Sequence, residues 1–367
     1  MKAVNEDEVD LFAKAMLAKL KDYKNPSYVK AVWQLCNTLI PLIGGIVSAY
    51  WSYRVNAFLF LLLCLLNAFF LMRLFVFQHD CGHGSFVKSR RLCDSVGFLC
   101  SLFSAIPYKF WAEMHVFHHK NTGKLDIKET AHIKRLIDRI GFYGMRSIGD
   151  IKTLTVDEYS QLTSKQKKQY RIYRKPLVTF LLGPLLFFLY NMRYPKSTVT
   201  ASKDIYRSVF LTNVIIVGTL FSLCIVFDWK IVLSTYFIST YLFYIITFWL
   251  FYAQHQHEYS YKQRSASWKH SSSALIGATY FKLPSVLNWF SASVGVHHVH
   301  HLHPTIPNYN LLASVQDNPS FNQYTTIVTL RESVQLLENK LWDENKQKMI
   351  SFEEFELQYD TAEKIAL

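Results

Sequence analysis

The sequence predicts an all-α integral membrane protein, with four transmembrane helices in two hairpins and a mostly helical cytoplasmic cap. Four apolar stretches are close to the roughly 20 residues that cross a bilayer; they lie at residues 32–51, 56–77, 209–227 and 231–253. The connectors SYRV and DWK are so short that consecutive stretches must pair as hairpins. Half of the residues are hydrophobic and 16% are aromatic, which suits a membrane protein with a substantial polar part.

The distribution of positive charge and of histidine predicts the topology. Lys and Arg are concentrated in residues 120–175 and nearly absent from the apolar stretches. A cytoplasmic loop facing anionic lipid explains this pattern better than a nucleic-acid partner, so we expect no nucleic acid. The weaker apolar stretches 92–108 and 176–192 are predicted to be interfacial or re-entrant helices, because a crossing at 92–108 would separate the histidine clusters. All clusters and both termini are then cytoplasmic.

Five segments follow from this topology. Residues 1–31 form a cytoplasmic amphipathic segment, because DEVDLFAKAMLAKL has helical periodicity and no signal-peptide character. Residues 32–78 and 209–253 form the two hairpins. Residues 79–208 carry two histidine clusters and two interfacial helices of the cap, and residues 254–367 carry the last cluster and the C-terminal helices. The six cysteines form no CxxC pair, so we expect apolar packing and no disulfide framework.

Histidines occur in clusters at helical spacing. Five of the 14 histidines fall within GVHHVHHLHP at residues 295–304. A lone histidine is more often a satisfied core or surface residue, but members spaced by three or four share one helical face. The clusters, all predicted on one side of the membrane, are His79 and His83; His115, His118 and His119; His255 and His257; and His297, His300 and His301. Together they indicate metal binding.

The number of imidazoles limits the kind of metal site. A structural zinc needs four ligands and a catalytic zinc three, and the chain contains no HExxH motif. Carboxylate-bridged di-iron proteins use paired Glu-x-x-His motifs, whereas this chain has a single one, Glu129 to His132, outside any span. Two metal ions sharing eight or nine nitrogens fit best, and spacing leaves iron, copper, zinc and nickel open.

Four segments carry a family resemblance. HDCGHGSF, HVFHHKNTGKLD, QHQHE and GVHHVHHLHPTIPNYNL, in this order, closely resemble the membrane fatty acid desaturases, and most of all the bacterial acyl-lipid omega-6 or delta-12 branch. The similarity runs from about residue 54 to residue 344. It implies a non-haem centre of two iron ions that uses O₂ and two electrons to introduce a double bond into an acyl chain. A hydroxylase or carotenoid ketolase on the same scaffold is the alternative; a metal transporter or sensor is disfavoured, because the spans carry almost no ionisable residues.

The resemblance also implies the site residues. Nine metal ligands carry over, with no catalytic residue outside them: His79, His83, His115, His118, His119, His255, His297, His300 and His301. His298 occupies a variable position of its cluster. His257 stands where bacterial relatives usually have Phe, and we expect the span's helix to continue through it, so that His255 and His257 face different directions.

Four residues are expected to lie beside the metal-binding imidazoles and to orient them without binding the metal. Asp80, Asp126 and Glu258 are placed to accept an imidazole N–H, and His257 is the fourth candidate. His270 and His303 are expected at the surface or beside the ligands. The acyl substrate, lipid-bound or a thioester, should enter a narrow apolar tunnel between spans and cap. With no HPGG motif and no CxxC pairs, electrons must come from a separate ferredoxin or cytochrome. The expected location is a bacterial inner membrane; bond position and geometry stay open.

Overall fold

The structure, a computed structural model, describes residues 5–126, 151–193 and 202–360. In chain order its helices are α1 (Glu6–Leu20), α2 (Tyr28–Ser52), α3 (Ala57–His83), α4 (Arg90–Ser104), α5 (Tyr108–Asn121), α6 (Val156–Ser160), α7 (Ser164–Tyr173), α8 (Lys203–Val226), α9 (Trp229–His255), α10 (His270–Leu275), α11 (Ser285–Phe290), α12 (His297–Leu302), α13 (Asn308–Asp317), α14 (Glu332–Gln335) and α15 (Phe352–Phe355). The strands are β1 (Leu154–Thr155), β2 (Tyr280–Lys282), β3 (Ile327–Thr329), β4 (Leu341–Asp343) and β5 (Lys348–Ile350).

Among the residues that the structure describes, four helices are long and apolar enough to cross a membrane: α2, α3, α8 and α9. They confirm the four predicted spans. Each begins at a side chain that accepts a hydrogen bond from a free backbone N–H of the first turn, which is the usual chemistry of a helix start. The capping residues are Ser27, Asn56, Ser202 and Asp228.

Two of these helices, α3 and α8, extend furthest beyond the predicted spans. Helix α3 continues to His83 and ends where Gly84 adopts the left-handed conformation, with φ of 73°. Helix α8 begins at Lys203 because Ser202 caps it. The hydrophobicity of the sequence could not show where these helices end, because a helix that leaves the membrane keeps its backbone hydrogen bonds while its side chains become polar. The first histidine cluster therefore lies at the C-terminal end of a helix that is long and apolar enough to span a membrane.

The weaker apolar stretches do not form straight spans. Helix α4 has 15 residues and ends at Ala105, which is left-handed with φ of 54°. Pro107 then begins α5. The second stretch is helical over Val178–Arg193, and this segment meets the preceding helix α7 at 65° across a short break. If the two pieces are counted as one bent span, the described part of the chain has up to five candidate spans.

The cap is held together by short strands and by the N-terminal helix. One sheet has the order β1-β4-β5, with β1 parallel to β4 and β4 antiparallel to β5, and β2 pairs in parallel with β3. Helix α1 is amphipathic as expected, and it buries Val9, Ala13, Met16 and Leu20 in the same apolar core as residues of α10, α12 and α13. The segments bearing the last histidine cluster are thereby fixed beside the ends of α3 and α9.

Candidate metal centre

The nine histidines predicted as ligands come together in two adjacent groups. Within each group one imidazole nitrogen from every residue lies within 4.8 Å of the others. The five-histidine group consists of His79, His83, His115, His119 and His300, and the four-histidine group consists of His118, His255, His297 and His301. The rings of His119 and His301, one from each group, are stacked with their centroids 4.2 Å apart. Metal coordination by these residues stays a prediction.

Helical geometry sends neighbouring histidines into different groups. In α5, His115 and His119 are one turn apart and belong to the five-histidine group, while His118 belongs to the other. Helix α12 shows the opposite assignment: His297 and His301 join the four-histidine group and His300 crosses to the five-histidine group. Each HxxHH segment therefore contributes to both groups.

The nitrogen positions fit a cation in each group. His300 Nε2 lies 2.9 Å from His79 Nε2 and 3.0 Å from His119 Nε2. His297 Nε2 likewise lies 2.9 Å from His255 Nε2 and 3.0 Å from His301 Nε2. One imidazole nitrogen offers either a single N–H or a single lone pair, so it cannot satisfy two such neighbours at once. A shared cation would accept the lone pairs of all of them.

Burial supplies the ionisation state that a metal ligand needs. Desolvation, followed by the neighbouring histidines, lowers the pKa of His115, His119, His297, His300 and His301 well below its ordinary value. These rings are therefore neutral at physiological pH, and neutral imidazole is the form that binds metals. In the described part of the chain both groups consist of imidazole alone. His83 Nε2 is buried there without a hydrogen-bond partner, as expected for an atom that a metal would satisfy.

Asp80 lies where it can orient one ligand. Its Oδ1 is 2.9 Å from His79 Nδ1, an arrangement that leaves the Nε2 lone pair of His79 directed into the five-histidine group. Its Oδ2 accepts hydrogen bonds from the backbone N–H and the side-chain amide of Asn308, at 2.6 and 2.9 Å. Asn308 Oδ1 in turn accepts from Gln34 Nε2 at 2.8 Å. Asp80 and Asn308 are both buried.

Asn308 and Gln34 were not identified from the sequence as residues that support the site. Asn308 lies in the PTIPN segment, just after the last histidine cluster, and Gln34 is a polar residue within an apolar span. A buried polar residue in a span needs a partner, so Gln34 was a detectable signal. Its partner, 274 residues away, was not detectable from local pattern.

Asp126 and Glu258 lie away from the imidazoles that they were expected to orient. The Asp126 carboxylate accepts hydrogen bonds from the backbone N–H and the hydroxyl of Ser265, at 2.8 and 2.6 Å. Glu258 forms an ion pair with Lys348 at 3.6 Å. Both acids are exposed, and solvated carboxylates of this kind need no buried partner. The expectation that they hold metal-binding histidines is not met.

His257 occupies a separate buried position. Contrary to expectation, α9 ends at His255, because Gln256 leaves the helical conformation with φ of −109° and ψ of 46°. The backbone oxygen of Gln256 accepts a hydrogen bond from the Asn339 side chain. His257 Nε2 contacts the Ile276 carbonyl at 2.9 Å, and burial lowers the pKa of His257 to about 4. Among the described residues, neither metal group includes His257.

The remaining histidines also fall outside the two groups of the described chain. His298 is fully buried, with its ring centroid 6.0 Å from that of Tyr280. His303 Nδ1 contacts the Thr305 hydroxyl at 2.9 Å, and His270 is exposed on α10. Glu129 and His132 lie outside the described residues.

An apolar cleft opens onto the two histidine groups. It has an empty volume of about 630 Å³ and reaches both groups, through His115 on one side and His118 and His255 on the other. Its remaining lining is mostly aromatic, including Trp111 and Phe251. The Trp111 ring is stacked on His115 with centroids 4.5 Å apart. A long apolar chain placed here would therefore lie beside the imidazole groups.

Comparisons with known proteins point to one family. A sequence model described as "Fatty acid desaturase" matches residues 56–316. The chain is 34% identical to a "Fatty acid desaturase" of Bacillus subtilis (strain 168) over 342 residues, which cover 92% of this chain and 90% of the relative. It is 26% identical to an "sn-1 acyl-lipid omega-3 desaturase (ferredoxin)" of Nostoc sp. (strain 36), over 75% of this chain and 71% of the relative. It is 23% identical to an "sn-1 oleoyl-lipid 12-desaturase" of Anabaena variabilis, over 79% of this chain and 77% of the relative.

Proposed function

The chain belongs to the fatty acid desaturase family, and from that premise we propose that it desaturates lipid-bound acyl chains at a di-iron centre. The observation that carries the proposal is the set of nine imidazoles, eight buried and that of His83 partly buried, divided between two adjacent groups that border an apolar cleft. In the proposed reaction two hydrogens leave adjacent carbons of the chain. These hydrogens, two electrons from a donor and two protons reduce O₂ to two molecules of water, and the chain gains one double bond.

The nine histidines have the chemistry that two iron ions need. Imidazole is a good ligand for iron, and the five- and four-histidine groups would each hold one ion. Bound iron would supply the activation of O₂ that the removal of unactivated hydrogens requires. The chain's own contribution is to keep the imidazoles neutral by burial and to fix the tautomer of His79 through Asp80.

The aromatic cleft has two tasks in this proposal. Its apolar lining binds the acyl chain beside the two groups, which holds the reacting carbons in place. Rings such as Trp111 and Phe251 also exclude water from the centre, and this exclusion protects a reactive oxidant from side reactions.

The names of two relatives support a proposal for the substrate and the electron donor. The relatives from Nostoc and Synechocystis are named as acyl-lipid desaturases that use ferredoxin. For this chain we propose an acyl-lipid substrate and an external ferredoxin-type carrier, with a cytochrome as the second candidate. A net charge of +13 favours encounter with an acidic carrier. We further propose the omega-6/delta-12 position, supported by the sequence segments and by the relative named as a 12-desaturase, although other relatives are omega-3 enzymes.

The proposed location is the plasma membrane of a bacterium, with the histidine groups on the cytoplasmic side. Four apolar helices support an integral membrane protein. The excess of Lys and Arg outside these helices supports the cytoplasmic orientation of the cap.

The test is the lipid profile of a host that expresses the chain and lacks desaturases of its own. Desaturation gives acyl chains lighter by two hydrogens, and fragmentation at the double bond gives its position. A product heavier by one oxygen atom would instead assign hydroxylation. The matched controls are His118→Ala and His300→Ala, which each remove one imidazole from a different group and should give the profile of the empty host.

A further inference from the structure

A second cavity reaches the metal centre from the other side of helix α9. It has an empty volume of about 360 Å³ and lies between α3 and α9. It touches the five-histidine group at His79 and the four-histidine group at His297. The larger cleft touches the same two groups at His115, His118 and His255. The two cavities therefore border the same pair of groups through different imidazoles.

Phe251 separates the two cavities. In the described chain it is the one residue that lines both. On one face of α9 beside Phe251, Phe248 and His255 line the larger cleft. On the other side, Leu250 and Gln254 line the smaller cavity. Residues spaced by three or four share a helical face, so α9 presents one face to each cavity, with Phe251 at the boundary.

Other aromatic rings complete the partition. The Phe251 ring lies with its centroid 6.5 Å from that of His115. Trp111, which lines the larger cleft, packs edge-to-face on Phe75, which lines the smaller cavity, with centroids 4.9 Å apart. The contact between Trp111 and Phe75 shows that side chains lining the two cavities meet directly along this line of rings. Because side chains change rotamer readily, a ring can turn aside where a helix could not.

We propose that Phe251 is a specificity-determining residue that sets how far the acyl chain advances past the metal centre. In this arrangement the chain enters through the larger cleft and its methyl end passes Phe251 into the smaller cavity. The carbons between the two cavities then lie beside both histidine groups. The inference rests on the proposed desaturase function, since it concerns which carbons that reaction selects.

The position of Phe251 gives the effect a direction. A smaller side chain widens the passage, so the methyl end advances further and carbons nearer the carboxyl end come to lie at the metal centre. The double bond should move toward the carboxyl end, and longer acyl chains should be accepted. A larger side chain at the same place should exclude long chains and favour shorter ones.

The experiment compares Phe251→Leu, Phe251→Ala and Phe251→Trp with the unmodified protein, expressed in a host supplied with saturated and monounsaturated acyl chains of graded length. Mass spectrometry reads the double-bond position and the length of each unsaturated product. The matched control is Phe248→Leu, one turn earlier on the same helix, which removes the same volume from the larger cleft alone. We expect a shifted bond or a longer product from Phe251→Leu, and an unshifted bond from Phe248→Leu.

Two results would overturn the inference. One is an active Phe251→Leu protein with the bond position and chain lengths of the unmodified protein. The other is an equal shift from Phe248→Leu, which would place the control of depth elsewhere in the cleft. If Phe251→Ala does not accumulate, Phe251→Leu decides the matter. A failure of the proposed function is distinct from both, because the unmodified protein would then give no unsaturated product.

Discussion

Asn308 donates two hydrogen bonds to a single oxygen of Asp80, one from its backbone N–H and one from its side-chain amide. The other carboxylate oxygen of Asp80 contacts the ring of His79. Asn308 begins α13, and Asp80 lies near the end of α3. This contact therefore joins the segment after the last histidine cluster to the first cluster, and its partner Gln34 extends the connection to α2.

Replacement of Asn308 should loosen the five-histidine group. Asn308→Ala leaves Asp80 with one donor fewer at a buried site, so the orientation of His79 is less well fixed. Loss of such supporting contacts typically weakens metal binding or activity by about 10- to 100-fold. The measurement is metal content after dialysis against a graded chelator, together with turnover. Asn310→Ala is the control, because Asn310 bonds to Tyr23 and Lys30 and not to Asp80. Equal metal retention in both variants would contradict a positioning role for Asn308.

A substitution in one histidine group should empty the metal site of that group and leave the metal of the other group bound. His118→Ala removes a ligand from the four-histidine group and His300→Ala removes one from the five-histidine group. We expect two irons in the unmodified protein and a different site emptied in each variant, with activity lost in both. Iron per chain and Mössbauer spectra of the reconstituted protein measure this. Recovery of one zinc per chain and no iron under any loading condition would exclude a di-iron centre.

His257 should be dispensable for metal binding. His255→Phe removes a member of the four-histidine group, so metal and activity should disappear. His257→Phe removes a hydrogen bond to the Ile276 carbonyl and leaves both groups intact. An unsatisfied buried acceptor costs about 1–3 kcal/mol, so this variant should melt at a lower temperature and still retain its iron. Equal loss of iron in both variants would make His257 a tenth ligand.

Single cysteines can test the proposed orientation. Val55 lies in the turn between α2 and α3, and Trp229 is the first residue of α9, directly after the turn from α8; both are exposed. In cells, an impermeant thiol reagent should label Val55→Cys and Trp229→Cys, in a background where the exposed native Cys36 is replaced by Ala. The exposed cap residues Ser265 and Ser320 should be labelled as cysteines only after the cells are opened. External labelling at Ser265 would place the cap on the opposite side.

The sequence by itself determined the local features of this protein. Four apolar stretches of membrane length predicted the four spans, because hydrocarbon accepts only helices whose backbone groups are paired within the helix. Spacings of three and four residues predicted which histidines share a helical face, because that periodicity is a property of one helix. The order of the histidine segments was enough to indicate the family.

The tertiary structure decided how these local features combine. Which group His118 or His300 joins depends on how α5 and α12 lie against α3 and α9, and no spacing within one helix contains that information. Helix α9 ends at His255, and the backbone oxygen of the next residue, Gln256, accepts a hydrogen bond from Asn339, 83 residues away in the chain. The contact between Asp80 and Asn308 and the position of Phe251 between two cavities have the same origin. Contacts between distant segments are set by the packing of the whole chain, and the local sequence pattern does not encode that packing.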